Sequence, residues 1–265
     1  MSASQYTHGH HDSVLRSHRW RTAENSAGYL LPHLNPGMAL LDIGCGPGTI
    51  TIDLAARVAP GKVWGIDYGA EVVAEASCAG AGVANLDFGV GDVYELTAAT
   101  ASFDVVHAHQ VLQHLTDPVA ALREMGRVCR PDGIVAARDA DYAAMAWFPR
   151  LPALEHWMQL YQKVARSNGA EPDGGRFLRH WAHEAGFQDV TSSASVWCYS
   201  TDSERQWWGG LWADRMVGSN LARQALDRGF ADPEQLAAIA DGWRSWADHP
   251  DAWFAVLNGE ILCRR

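Results

Sequence analysis

Short apolar runs at residues 38–43, 63–66, 86–90, 103–109 and 134–137 alternate with longer stretches whose apolar positions recur every three or four residues. The runs have strand length, and the longer stretches have the spacing of amphipathic helices. Ile50, Ile52, Leu54, Ala55 and Val58 mark the first of these helices, and residues 70–79 the second. Val119, Leu122, Met125 and Val128 mark a third, which opens at Asp117-Pro118 and stops at Arg130-Pro131-Asp132-Gly133. Strand and helix in alternation predict an α/β fold, with a parallel sheet covered on both faces.

The flanks follow a different rhythm. From Asp12 or Ser13 the pattern predicts one helix to about residue 34, broken by Pro36-Gly37. Residues 142–173 read as an insertion with a helix through Leu154, Trp157, Met158, Leu160, Tyr161 and Val164. A helix over 176–184 and a strand over 190–199 come next. Residues 202–248 form a second helical insertion, and 253–262 a closing strand. The organisation is one domain over 1–265: an N-terminal arm and cap helix at 1–36, a ligand-binding core at 37–141, and insertions placed as a lid.

Composition narrows the function. The 265 residues are 48% hydrophobic and carry a formal net charge of −10, with no run of Lys or Arg. A nucleic-acid groove needs a basic stripe, so a nucleic-acid substrate is not expected. No apolar run is long enough to span a bilayer. The five cysteines are scattered without a C-x-x-C pair, which argues for a reducing cytoplasm and against a disulfide framework or a zinc site. His8, His10 and His11 read as part of a mobile arm, with a metal tract as the weaker alternative. Twelve tryptophans divide between core packing and an aromatic pocket wall. Those in 202–248 also offer a face for a homodimer.

The chemistry concentrates where the first strand ends. Asp42 is followed by Gly44, Cys45, Gly46 and Gly48, then Thr49 and a helix. Glycines at alternate positions permit a tight turn with positive φ and let backbone approach a ligand. The helix start presents free N–H groups. The sixth position of a dinucleotide fingerprint is Thr49 rather than glycine, and no Gly-Lys-Ser/Thr of a P-loop is present. Asp67 ends the second strand about 20 residues on, where a carboxylate can accept from two ribose hydroxyls. Tyr68 beside it can stack on a base. The third strand ends in Gly91-Asp92-Val93 and the fourth in His109-Gln110.

The D-x-G-x-G-x-G pattern resembles motif I of the class I S-adenosylmethionine-dependent methyltransferases. The resemblance covers residues 38–139. Val111-Leu112-Gln113-His114-Leu115, Asp117-Pro118 and Arg130-Pro131-Asp132-Gly133 are similar to segments of the ubiquinone/menaquinone-biosynthesis-like branch. Gln113 stands where that branch often has Glu, and Asp132 replaces a turn glycine. The resemblance implies a Rossmann-like seven-stranded, mostly parallel sheet whose last strand is antiparallel. It implies S-adenosyl-L-methionine as cofactor and a small-molecule methyl acceptor. On this reading the motif I residues hold the cofactor, Asp67 the ribose, and Asp92 with the backbone of Val93 the adenine. Tyr6, Arg19 or Arg21 would reach the site from the cap, where a cation suits the methionine carboxylate.

In the resembled fold, strand four ends beside the transferred methyl, which makes His109 the first candidate for a general base. His114, Asp139, Asp141 and the arm histidines are the others. A flat apolar acceptor and an amine fit aromatic walls equally well. Two alternatives stand beside methyl transfer: a cofactor-binding but inactive scaffold, and an NAD(P)-dependent oxidoreductase.

Overall fold

The computed structural model describes residue 7 and residues 12–265; of residues 12 and 13 it describes the backbone alone. Tyr6, His8, His10 and His11 lie outside the described residues. The first elements among the described residues are α1 (Asp12–Arg19), α2 (Ala23–Ala27) and a 3-10 turn at Leu31–His33. One continuous helix was expected here. It breaks because Thr22 and Asn25 form a reciprocal capping box: the Asn25 N–H donates to Thr22 Oγ1 (3.2 Å) and the Thr22 N–H to Asn25 Oδ1 (2.9 Å). The break leaves Trp20 and Arg21 in a corner that faces the sheet ends.

The core alternates as its pattern predicts: β1 (Leu40–Ile43), α3 (Thr49–Val58), β2 (Val63–Asp67), α4 (Ala70–Ala79), β3 (Leu86–Val90), β4 (Phe103–His109), α5 (Pro118–Val128) and β5 (Cys129–Ala140). After it come β6 (Ala146–Phe148), α6 (Pro152–Ser167), α7 (Gly174–Ala185) and β7 (Asp189–Tyr199). Then α8 (Asp202–Gly218), α9 (Asn220–Asp227), α10 (Pro233–Asp248) and β8 (Trp253–Arg264) complete the chain.

The strand order is β3-β2-β1-β4-β5-β8, with β7 on the far side of β8. Strands β1 to β5 run parallel, and β8 is antiparallel to β5 and β7. The Rossmann-like, mostly parallel sheet is therefore as expected, with one addition. The three-residue β6, too short to show a period, pairs Ala146–Phe148 antiparallel to β8 and makes an eighth strand. Asp132, in the irregular stretch of β5 between the paired Cys129 and Ile134, takes φ +65°. That is why the resembled branch favours glycine there, and Asp is among the residues that tolerate it.

Successive residues of β1 bury opposite faces completely. Leu40 joins Leu54, Val58, Val63 and Val105 on the side of α2 and α3. Leu41 joins Val106, Leu122, Met125 and Leu178 on the side of α5 and α7. A third core packs against β7 and β8, where α6, α8 and α10 come together. There Trp157 meets Trp212 and Trp243 edge-on, at 4.6 and 4.9 Å between centroids, and Trp243 stacks on Trp212 at 5.8 Å. Helix α6 and the helices of residues 202–248 thus share one core. Trp157, Trp243 and Trp246 are packing residues.

Trp243 is fully buried between these rings. Trp243→Ala is expected to cost about 3–5 kcal/mol in urea-induced unfolding; a loss under about 1 kcal/mol would mean that the insertions do not share a cooperative core.

Candidate functional site

The parallel strands β1 to β4 end on the same side of the sheet, and a cavity of about 780 Å³ opens there. Its floor is the loop after β1. Gly44, Gly46 and Gly48 have φ of +65°, +55° and +85°. Gly44 and Gly46 line the cavity. A side chain on Gly46 would enter open space, the nearest atom being His18 Nδ1 at 3.8 Å, so the loop offers bare backbone to a ligand. A Cβ on Gly44 would meet Val111 Cγ2 at 2.4 Å. Gly48 does not line the cavity. It starts α3, and a Cβ there would meet the Phe88 ring at 2.8 Å, so its role is packing.

Asp42 lies beneath the loop, 3% exposed. Its Oδ2 accepts from Thr51 Oγ1 (2.5 Å) and its Oδ1 from His107 Nδ1–H (2.7 Å). This carboxylate anchors the loop from below. Asp67 sits differently. Its Oδ2 accepts from the Gly46 N–H (3.1 Å) and its Oδ1 from the Gly69 N–H (3.0 Å). A carboxylate has about four lone-pair positions, so both oxygens can accept again. Asp92 Oδ1 accepts from the Tyr94 N–H (2.9 Å), fixing the turn after β3. Arg21, Cys45, Tyr68, Gly91, Val93, His109 and Gln110 line the same cavity, as the sequence suggested.

The turn after β4 is held from several sides. Gln110 adopts φ +52°, a conformation that costs a non-glycine residue free energy. Its N–H donates to the Arg138 carbonyl (2.6 Å), its Oε1 accepts from Arg21 Nη2 (2.7 Å), and its Nε2 donates to Asn258 Oδ1 (3.2 Å). Gln113 then ties the turn to the end of β5: its Oε1 accepts from the Ala140 N–H (2.8 Å).

The base candidates separate. His109 is buried on the cavity wall, and neither ring nitrogen has a hydrogen-bond partner among the described residues. Burial first, then the charges of Arg21 and Arg138, holds its pKa well below the usual histidine value, so the imidazole is neutral. His114 also lines the cavity, pushed down to about 3 by burial and Arg21. Asp139 and Asp141 do not line it. Asp139 is wholly buried, raised to about 7 by desolvation, and its Oδ1 accepts from the Gln113 N–H (3.3 Å). Asp141 caps the turn at Tyr142–Ala144 and pairs with Arg176, not Arg138, through two bonds of 2.5 and 2.6 Å. Arg19, a cap candidate, turns outward to Glu75 (2.8 Å).

Beyond His109 the cavity widens into an aromatic chamber. Trp20 from the α1–α2 corner, Trp197 and Tyr199 from β7, and Trp207, Trp208 and Trp212 from α8 form its wall. Trp20 lies 5.5 Å from Trp197 and from Trp207, and Tyr199 stacks on Trp208 at 4.4 Å. Trp197 Nε1–H donates to the Asn25 carbonyl (2.7 Å), which locks cap to sheet. Sequence reasoning left out Trp197, Tyr199 and Arg215. The first two share one face of β7 by their i, i+2 spacing, a legible signal; Arg215 arrives from an inserted helix and left none.

Among the described residues, no helix is long and apolar enough to cross a membrane, and no cluster of three His, Cys, Asp or Glu side chains could hold a metal ion. Residues 34–205 match a methyltransferase domain family. An uncharacterised methyltransferase of Schizosaccharomyces pombe is 34% identical over 98% of this chain and 96% of its own length. A demethylmenaquinone methyltransferase of Staphylococcus aureus is 30% identical over 58% of this chain and 69% of its own. The solved structure of the YcgJ protein of Bacillus subtilis superposes with a TM-score of 0.58 at 22% identity, covering 90% of this chain and 97% of that one. This places the nicotinamide alternative aside: the chain belongs to the methyltransferase domain family and is a class I S-adenosylmethionine-dependent methyltransferase.

Proposed function

We propose that this cavity is where a methyl group passes from S-adenosylmethionine to a small-molecule acceptor by in-line displacement. The observation that carries the reading is continuity: one cavity runs from the bare backbone of Gly44 and Gly46 and the Asp67 carboxylate to the aromatic chamber behind His109. Its volume lies within the ~300–1,000 Å³ of small-molecule sites. When bound, the cofactor supplies an electrophilic methyl carbon on a sulfonium.

The chain's own residues do the holding. Asp67 accepts hydrogen bonds from the ribose hydroxyls with the lone pairs its two backbone contacts leave over. Asp92 and the Val93 backbone take the adenine edge, with Tyr68 beside the ring. Arg21, held by Gln110, meets the methionine carboxylate. The bare backbone of Gly44 and Gly46, with the small Cys45 between them, gives the chain of the cofactor its floor. The aromatic wall excludes water and fixes the acceptor in line, which is most of what a displacement of this kind requires. His109 accepts a hydrogen bond from the acceptor. Its neutrality also avoids repelling the sulfonium.

Two outcomes follow. Asp67→Ala is expected to weaken S-adenosylhomocysteine binding about tenfold to hundredfold, or about 1.4–2.8 kcal/mol, in calorimetric titration; unchanged affinity would remove Asp67 from the ribose site. The second concerns pH. The folded state keeps His109 neutral, while the unfolded chain takes up a proton below about pH 6.5. This contribution to stability is complete above that pH and is lost as pH falls. Between about pH 7 and pH 5 the loss from this group reaches up to about 2 kcal/mol. His109→Gln is expected to unfold in urea with that much less pH dependence; an identical dependence would show that His109 is not buried neutral.

A further inference from the structure

A row of polar side chains crosses the sheet on its α2 side. The register sets His109 of β4 opposite Arg138 of β5, Arg138 opposite Glu260 of β8, and Glu260 opposite Ser193 of β7. Residues opposite one another in a sheet share a face. Arg138 is 1% exposed and does not line the cavity. Its Nε donates to Glu260 Oε1 (3.2 Å) and to Ser195 Oγ (3.1 Å), and its Nη2 to Ser195 Oγ (3.0 Å). Ser195 Oγ in turn donates to Glu260 Oε1 (2.5 Å), and Ser193 Oγ to Glu260 Oε2 (2.7 Å). Burial lowers the Arg138 pKa to about 10 against the pull of Glu260, so the guanidinium is charged at neutral pH.

Such a pair is a poor device for stability alone, because an apolar pair of similar volume commonly holds a fold as well or better. What it adds is a flat face held in place by β7 and β8. A guanidinium stacks on aromatic rings, which an aliphatic side chain cannot reproduce. The Arg138 guanidinium lies 4.4 Å from the centroid of Trp197, which does line the cavity. The Trp197 Nε1–H donates to the Asn25 carbonyl (2.7 Å) and fixes one point of the indole. One point does not fix a plane, since the outer torsion of a tryptophan side chain is broad. The stack on Arg138 supplies the second restraint. So held, the ring lies 5.7 Å from His109 and meets Trp20 edge-on at 5.5 Å.

Resting on the methyl-transfer reading above, we propose that Arg138 is a positioning residue: through Trp197 it fixes the plane against which a flat acceptor lies beside His109. Glu260, Ser193 and Ser195 hold Arg138 for that task. The effect falls on the acceptor half of the cavity and passes through the ring.

The test uses the double variant Arg138→Met/Glu260→Leu, which removes both charges and leaves neither buried alone. Tryptophan labelled with nitrogen-15 gives an indole signal for each ring, and Trp197→Phe identifies the one from Trp197. In the double variant the Trp197 indole hydrogen is expected to exchange with solvent about tenfold faster or more. The Trp246 Nε1–H, bonded to the Phe148 carbonyl (3.0 Å) in the core of the inserted helices, is expected to keep its native rate. A variant that had only lost stability would speed both. In the native protein with S-adenosylhomocysteine present, 2-naphthol should shift the Trp197 signal. The double variant should bind 2-naphthol about tenfold more weakly and S-adenosylhomocysteine within about twofold of native. If the double variant does not fold, Arg138→Lys, which keeps the charge beside Glu260 but has no flat face, carries the same expectations. Native protection of the Trp197 hydrogen in the folded variant would overturn the proposal. So would equal affinity of native and variant for 2-naphthol, or no shift of Trp197 by 2-naphthol while S-adenosylhomocysteine binds. If S-adenosylhomocysteine itself fails to bind the native protein, the methyl-transfer reading falls, and the exchange comparison, which needs no ligand, still decides whether Arg138 holds the ring.

Discussion

A buried carboxylate with two short hydrogen bonds fixes the geometry of the site. Asp42, near the end of β1, reaches sideways to His107 on β4 and forward to Thr51 in the first turn of α3. A carboxylate out of water is costly unless its lone pairs are met, so the three elements are bound to one arrangement. The glycine loop lies directly above this contact. His109 lies two residues beyond His107 on the same strand, so it projects from the same face. The loop that would carry the cofactor and the histidine that would face the acceptor are therefore set by one anchor.

The cavity is assembled from two kinds of structure. The half proposed for the cofactor uses strand ends and backbone, with few side chains that could be altered without moving the sheet. The half proposed for the acceptor uses side chains from α1, β7 and α8, elements outside the glycine-loop core. Trp197 joins the halves: it contacts His109 at 5.7 Å, hydrogen-bonds the cap at Asn25 and lies against the buried Arg138. Glu260, Ser193 and Ser195 complete the support behind that arginine. On the proposed reading, recognition of different acceptors would vary on this wall while the cofactor floor is unchanged.

The core was legible because its strands are apolar on both faces and its glycines stand at strand ends, signals that survive without tertiary context. Asp67, Gly91 and His109, which line the cavity, stand at strand ends that are legible for the same reason. The break at Trp20 and Arg21 was missed because the Thr22–Asn25 capping box lies inside a helical pattern and competes with it locally. Strand β6 was missed because three residues show no period and depend wholly on β8 for pairing. Asp139 and Asp141 looked like candidates for chemistry because burial and ion pairing are not visible in a sequence; Gln113 and Arg176 decide their roles. The tryptophans could be divided between core and chamber only once α6, α8 and α10 were seen to pack together.

The central claim is that one cavity holds cofactor and acceptor side by side, with the transferring methyl between the glycine loop and His109. The most direct measurement is a crystal structure of the protein with S-adenosylhomocysteine. The expected density has the ribose on Asp67, the adenine near Asp92 and Val93, and the sulfur facing the chamber beside His109. A ligand lying within the aromatic chamber, or oriented with its sulfur away from His109, would contradict it.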